Sequence, residues 1–117
     1  MYKILSIDGG GIKGVFPASF LAGIEESIGE KIGDYFDLIV GTSTGGIIAL
    51  GLASGMSAKD ILSFYEMEGP VIFKGNRFFR FFCQLGFAKY IQTPLKESLE
   101  NCFGDKWIVD CLKRVFV

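Results

Sequence analysis

The segment Gly41-Thr42-Ser43-Thr44-Gly45-Gly46 lies between two apolar runs, Phe36 to Val40 and Ile47 to Ala53, in a chain without histidine. An apolar strand that enters Gly-x-Ser-x-Gly and leaves as a helix is a nucleophile elbow, a sharp turn that holds the serine hydroxyl clear of both elements at a helix N-terminus. Gly41 and Gly45 suit such a turn because side chains there would crowd the flanking strand and helix. A reactive serine ordinarily gives its proton to an imidazole. With none here, the base is a carboxylate or lies outside these 117 residues.

A second glycine motif precedes the first. Ile4 to Ile7 reads as a short buried strand, and Asp8-Gly9-Gly10-Gly11-Ile12-Lys13-Gly14 follows it directly. Pro17 then fits the first turn of a helix with Phe20, Leu21, Ile24 and Ile28 on one face and Glu25, Glu26 and Glu30 mostly elsewhere. Three consecutive glycines let backbone N–H groups turn toward one point, a nest for negative charge. Gly9, Gly11 and Gly14 also satisfy G-x-G-x-x-G, but a dinucleotide fold wants an acid at the end of its second strand. Here that strand ends in the serine turn, with Asp34 and Asp37 before it. A phosphate-binding P-loop needs Gly-Lys-Ser/Thr, which Ile12-Lys13-Gly14 does not supply. With both motifs at the C-terminal ends of neighbouring parallel strands, the N–H groups of Gly9, Gly10, Gly11 and Thr44 can point at the oxygen of a carbonyl attacked by Ser43. One preorganised donor of this kind is worth roughly 3 kcal/mol of transition-state stabilisation. A plain tight turn with a capping serine is the bland alternative, and it leaves the upstream glycine loop unexplained.

The rest of the chain supplies the layers around this edge. The helix after the elbow (Ile47, Ile48, Ala49, Leu50, Leu52, Ala53) is apolar on all sides, hence buried, and Gly55 ends it. Ser57-Ala58-Lys59-Asp60 resembles a capping box and opens a helix expected to run to about Glu68, where Gly69-Pro70 stops it. Thr93-Pro94 caps another, with Leu95, Leu99 and Cys102 on one face and Gly104 at its end. Trp107 to Leu112 reads as a short helix and Val115-Phe116-Val117 as a third strand. Strands alternating with helices predict an α/β fold, a mainly parallel sheet flanked by helices. Half the residues are hydrophobic and the mean hydropathy is +0.39, which suits strands buried on both faces.

Several function classes drop out. Cys83, Cys102 and Cys111 are odd in number and form no C-x-x-C, so they read as reduced, packed thiols and not as a disulfide framework or a zinc site. Asp8 interrupts the N-terminus too early for a signal peptide. The uncharged stretch from Leu38 to Ala58 is broken by the serine turn, so it reads as strand, turn and helix and not as a membrane span. These features predict a cytoplasmic protein or one peripheral to a membrane. Between Phe73 and Tyr90 aromatic rings alternate with Lys74, Arg77, Arg80 and Lys89. Core or an acyl-chain groove is the favoured reading of that segment, contact with a membrane surface the second, and nucleic acid is not expected.

The two glycine motifs together closely resemble the patatin-like phospholipases, a family of lipid acyl hydrolases, and the resemblance extends to the Ser-Ala-Lys-Asp, Thr-Pro-Leu-Lys-Glu and Phe-Gly-Asp stretches. It implies that Ser43 is the nucleophile of a Ser-Asp dyad, that Gly9, Gly10 and Gly11 with Thr44 form the oxyanion hole, and that Asp8, Lys13, Gly14, Gly41 and Gly45 support the two motifs. Lys13 takes the place of a basic residue of the family and is as well read as a solvated charge as a guide for a phosphate headgroup. The implied substrate is a phospholipid or other fatty-acyl ester, with no cofactor and no metal. The family's aspartate comes from a downstream Asp-Gly-Gly or Asp-Gly-Ala, and neither follows Ser43 here. Asp105 and Asp110 read as a turn acid and a solvated helix acid. The resemblance therefore implies that residues 1–117 are the N-terminal portion of a single, truncated patatin-like domain, inactive alone. The alternative is a non-catalytic remnant or a lipid-binding module.

Overall fold

The computed structural model describes residues 1–72 and 93–117. In chain order the elements are β1 (Ile4–Ile7), α1 (Val15–Ile28), β2 (Leu38–Gly41), α2 (Thr44–Ala53), α3 (Ala58–Ile72), α4 (Thr93–Phe103) and β3 (Arg114–Phe116), with 3-10 turns at Gly11–Gly14, Ile32–Tyr35 and Ile108–Asp110. The strands form one parallel sheet in the order β1-β2-β3. This is the α/β arrangement that the alternation of strands and helices predicts. The aromatic and basic segment from Phe73 to Tyr90, and Cys83 within it, lie outside the described residues.

The core forms where α2 meets the sheet and the other helices. Ile7 and Ile39 of the strands, Ala18 and Leu21 of α1, Ile48, Ala49, Leu52 and Ala53 of α2, and Ile61 and Tyr65 of α3 are all buried. Burying an Ile or Leu side chain contributes about 1.5–3 kcal/mol, so this cluster rather than helix propensity holds α2 in place. Its N-terminal residues Thr44, Gly45 and Gly46 are buried as well, which fixes the start of the helix under the sheet edge.

Four local expectations differ from what is found. The second strand begins at Leu38, not Phe36, because Ile32–Tyr35 forms a turn and the Asp37 and Leu38 N–H groups both reach the Lys3 carbonyl. The buried face of α1 is Ala18 and Leu21, while Phe20 and Ile28 are exposed. Glu25 instead turns inward: its carboxylate accepts the Ile32 N–H at 2.9 Å and the Ala58 N–H at 2.7 Å. Placed at the N-terminus of α3, it satisfies a first-turn donor and meets the positive end of that helix. Finally, α3 does not stop at Pro70 but runs to Ile72. The clash that usually keeps the residue before proline out of the helical region involves its N–H and its β-carbon, and Gly69, with no β-carbon, is spared the second part. Among the described residues no helix is long and apolar enough to cross a membrane.

Candidate active site

Register brings the two glycine motifs together. Ile4 pairs with Leu38 and Ile7 with Gly41, so β1 and β2 end level and the loops that leave them emerge side by side at one edge of the sheet. The Thr42 N–H extends the ladder by one bond, to the Ile7 carbonyl at 3.2 Å. The next residue, Ser43, has φ +57° and ψ −124° and is the one non-glycine residue with positive φ among those described. Such a conformation costs on the order of 1–3 kcal/mol and persists only where its surroundings enforce it. Here they do. A β-carbon on Gly41 would fall on the Gly45 carbonyl and 2.7 Å from the Gly46 nitrogen, and one on Gly45 would fall on the Ile7 carbonyl oxygen. The Gly45 N–H closes onto the Thr42 carbonyl and the Gly46 N–H onto that of Ser43, each at 2.9 Å. Ser43 itself is exposed.

The glycine loop lies directly against this turn. A β-carbon on Gly9 would stand 2.6 Å from Ser43 Cβ and 3.1 Å from its Oγ. The Gly9 N–H donates to Thr42 Oγ1 and the Gly10 N–H to Thr44 Oγ1, both at 3.1 Å. Gly11, at φ +61°, opens the turn that carries exposed Lys13 and ends at buried Gly14. Among the described residues the N–H groups of Gly11 and Thr44 make no hydrogen bond. Of the four donors named from the sequence, two thus tie the loop to the elbow and two are free. Asp8, exposed at the end of β1, makes no hydrogen bond with Ser43.

Beneath the turn, the Tyr65 hydroxyl of α3 donates to the Thr44 carbonyl at 2.7 Å. Burial pushes this phenol well above the ordinary tyrosine value, so it stays a neutral donor. The stability it contributes is therefore whole below about pH 10, where a free tyrosine titrates, and is lost as pH rises toward the higher folded-state value. Denaturant titrations at about pH 8 and about pH 11 are expected to show a larger alkaline loss for the native protein than for Tyr65→Phe. Equal losses would place the phenol in contact with solvent.

No carboxylate of the described residues bonds the Ser43 hydroxyl, and residues 73–92 contain neither Asp nor Glu. Asp110 accepts the Trp107 N–H at 2.9 Å within its own turn, and Asp105 is exposed. Asp110 lies four residues before β3, whose first residue pairs with Leu38 at the start of β2, the end of the sheet away from Ser43. Leu112 and Lys113 hold the carbonyl of Ala53, the last residue of α2, at 2.7 and 3.2 Å. A helix of that length spans about 15 Å. Among the described residues no three His, Cys, Asp or Glu side chains gather into a metal site. Cys102 and Cys111 are free thiols, and burial raises the pKa of both.

Residues 5–117 match the patatin-like phospholipase family. The chain belongs to that family. It is 48% identical to a cGAMP-activated phospholipase of Vibrio cholerae over 95% of this chain and 35% of the relative. It is 40% identical to a cGAMP-activated phospholipase of Escherichia coli, over 98% of this chain and 35% of the relative. A potato protein, "Probable inactive patatin-3-Kuras 1" of Solanum tuberosum, is 37% identical over all of this chain and 34% of its own length. The chain thus spans about a third of the length of these curated relatives.

Two residues with a part in the geometry escaped the sequence reading. Thr42 binds the glycine loop through its side chain, and Tyr65 reaches the elbow from a helix that begins 14 residues after Thr44. Threonines on both sides of Ser43 were the visible signal for the first. For Tyr65 the signal was its spacing from Ile61, which puts the two on one face of α3.

Proposed function

We propose that this chain carries the nucleophile and oxyanion site of a serine lipid acyl hydrolase that cleaves a phospholipid or other fatty-acyl ester. The observation that supports this best is the strained conformation of Ser43, at a strand-to-helix turn, with Gly9 against its side chain. Ser43 Oγ attacks the ester carbonyl while its proton passes to a carboxylate base, and the bond from the acyl carbon to the leaving oxygen then breaks as that oxygen takes up the proton. Water enters by the same route in reverse and releases the fatty acid. In this reading the free N–H groups of Gly11 and Thr44 hold the oxyanion, and Gly9 and Gly10 hold the loop in place. The base is an aspartate outside residues 1–117, as the family resemblance implies, and these residues are the N-terminal portion of a single patatin-like domain. Contact with a membrane surface follows from the substrate.

The test is release of free fatty acid from phospholipid vesicles by the complete protein, with and without cGAMP. Fatty acid release supports the reading, and its dependence on cGAMP would extend to this protein the control for which two of its relatives are named. Vesicle binding with no release would favour the second reading, a non-catalytic lipid-binding module, which the name of the potato relative keeps open.

A further inference from the structure

Thr44 sits where three segments meet. It is 1% exposed, and its hydroxyl and its carbonyl each have a separate partner. Its hydroxyl oxygen accepts the Gly10 N–H at 3.1 Å, its carbonyl accepts the Tyr65 hydroxyl at 2.7 Å, and its own N–H has no partner among the described residues. Tyr65 touches the other end of the glycine loop too. Its ring covers Gly14 so closely that a β-carbon there would stand 3.0 Å from Tyr65 Cε1. As the first residue of α2, Thr44 already has its carbonyl placed to accept from the next helical turn, so the bond from Tyr65 is not needed to satisfy it. What that bond adds is direction: it holds the Thr44–Gly45 peptide group at the start of α2, and through the Thr44 α-carbon it steadies the neighbouring group that carries the Thr44 N–H.

We propose that Thr44 and Tyr65 act as a positioning pair, which holds the glycine loop and the start of α2 in the one relative setting where the Gly11 and Thr44 N–H groups converge on the oxyanion. The proposal rests on the reading of Ser43 as nucleophile and assigns the pair no contact with substrate. Because an oxyanion donor acts only as charge develops, a misaimed donor lowers turnover and leaves ground-state binding nearly unchanged.

The experiment uses the complete protein, a soluble fatty-acyl ester and a fluorophosphonate probe. Thr44→Val keeps the shape of the side chain and removes the acceptor of the Gly10 N–H, whereas Thr44→Ser keeps the acceptor. Tyr65→Phe removes one oxygen and keeps the ring over Gly14. Thr44→Val and Tyr65→Phe are each expected to lower kcat and the probe's labelling rate by about 10-fold to 100-fold with KM within about twofold. Thr44→Ser is expected to retain kcat, and the double variant Thr44→Val/Tyr65→Phe to lose less than the product of the two single losses, since both bonds hold the one residue Thr44. Should the valine variant fold poorly, Tyr65→Phe carries the same decision. A kcat unchanged in a variant that merely melts lower would overturn the pair's role while Ser43 still labels normally. Turnover surviving in Ser43→Ala would overturn the reading of the site, and the positioning role with it.

Discussion

Replacing Ser43 by alanine is expected to abolish both fluorophosphonate labelling and ester hydrolysis in the complete protein. In serine hydrolases the loss of the nucleophile costs up to about 10⁶-fold in kcat, because the remaining oxyanion donors have no covalent intermediate to stabilise. The fold should survive the change. Ser43 is exposed, its hydroxyl bonds nothing among the described residues, and alanine keeps the β-carbon that lies against Gly9. The positive φ of Ser43 is no easier for alanine, so a similar melting temperature is the expected companion result. Wild-type turnover in this variant would remove Ser43 from the chemistry altogether.

Gly9→Ala is expected to be the second most damaging change, with kcat reduced by about 10²-fold or more. Its new β-carbon would meet the Thr42 carbonyl oxygen and stand 2.6 Å from Ser43 Cβ, so either the loop or the elbow must move. Both belong to an exposed edge, and the buried cluster of Ile39, Ile48 and Leu52 does not touch the substitution. The loss should therefore appear in turnover more than in the melting curve. Gly10→Ala is the internal comparison: a β-carbon there faces Lys13 Cβ at 3.3 Å and not the serine, and a smaller effect is expected. If Gly9→Ala hydrolyses ester at the native rate, the contact between loop and elbow has no part in catalysis.

The parts legible in the sequence were those governed by the main chain. The first strand spans Ile4 to Ile7 as its apolar run predicts, although only Ile7 of it is buried, the helix after the elbow is buried as its uniform apolarity implies, and a third parallel strand lies one residue from its expected place. Glycines at Gly41 and Gly45 could be read as sites of close approach because no other residue type leaves that space. Less legible was anything decided by a distant neighbour. Phe20 looks like core in a helical wheel, but α1 packs against α3 with Ala18 and Leu21 buried and leaves Phe20 in solvent. Pro70 looks like a stop, and Gly69 before it eases part of the steric reason for one. The side-chain bonds of Thr42, Thr44 and Tyr65 span 21 to 34 residues and carry no local periodicity that a pattern could reveal.

The strain at Ser43 also bears on when the site comes into being during synthesis. An unpaired chain has no reason to hold a serine at positive φ, and it would relax to an ordinary conformation with an ordinary, unreactive hydroxyl. Only when β1 has zipped onto β2 do Ile7, Gly41 and Gly45 enforce the turn, and the same event delivers the glycine loop, 34 residues upstream, to the serine. The strained turn is thus a property of the closed ladder and not of either peptide. If Ser43 is the nucleophile proposed above, a nascent or partly unfolded chain is silent toward an ester, and the hydroxyl becomes reactive no earlier than the sheet that would have to survive its use.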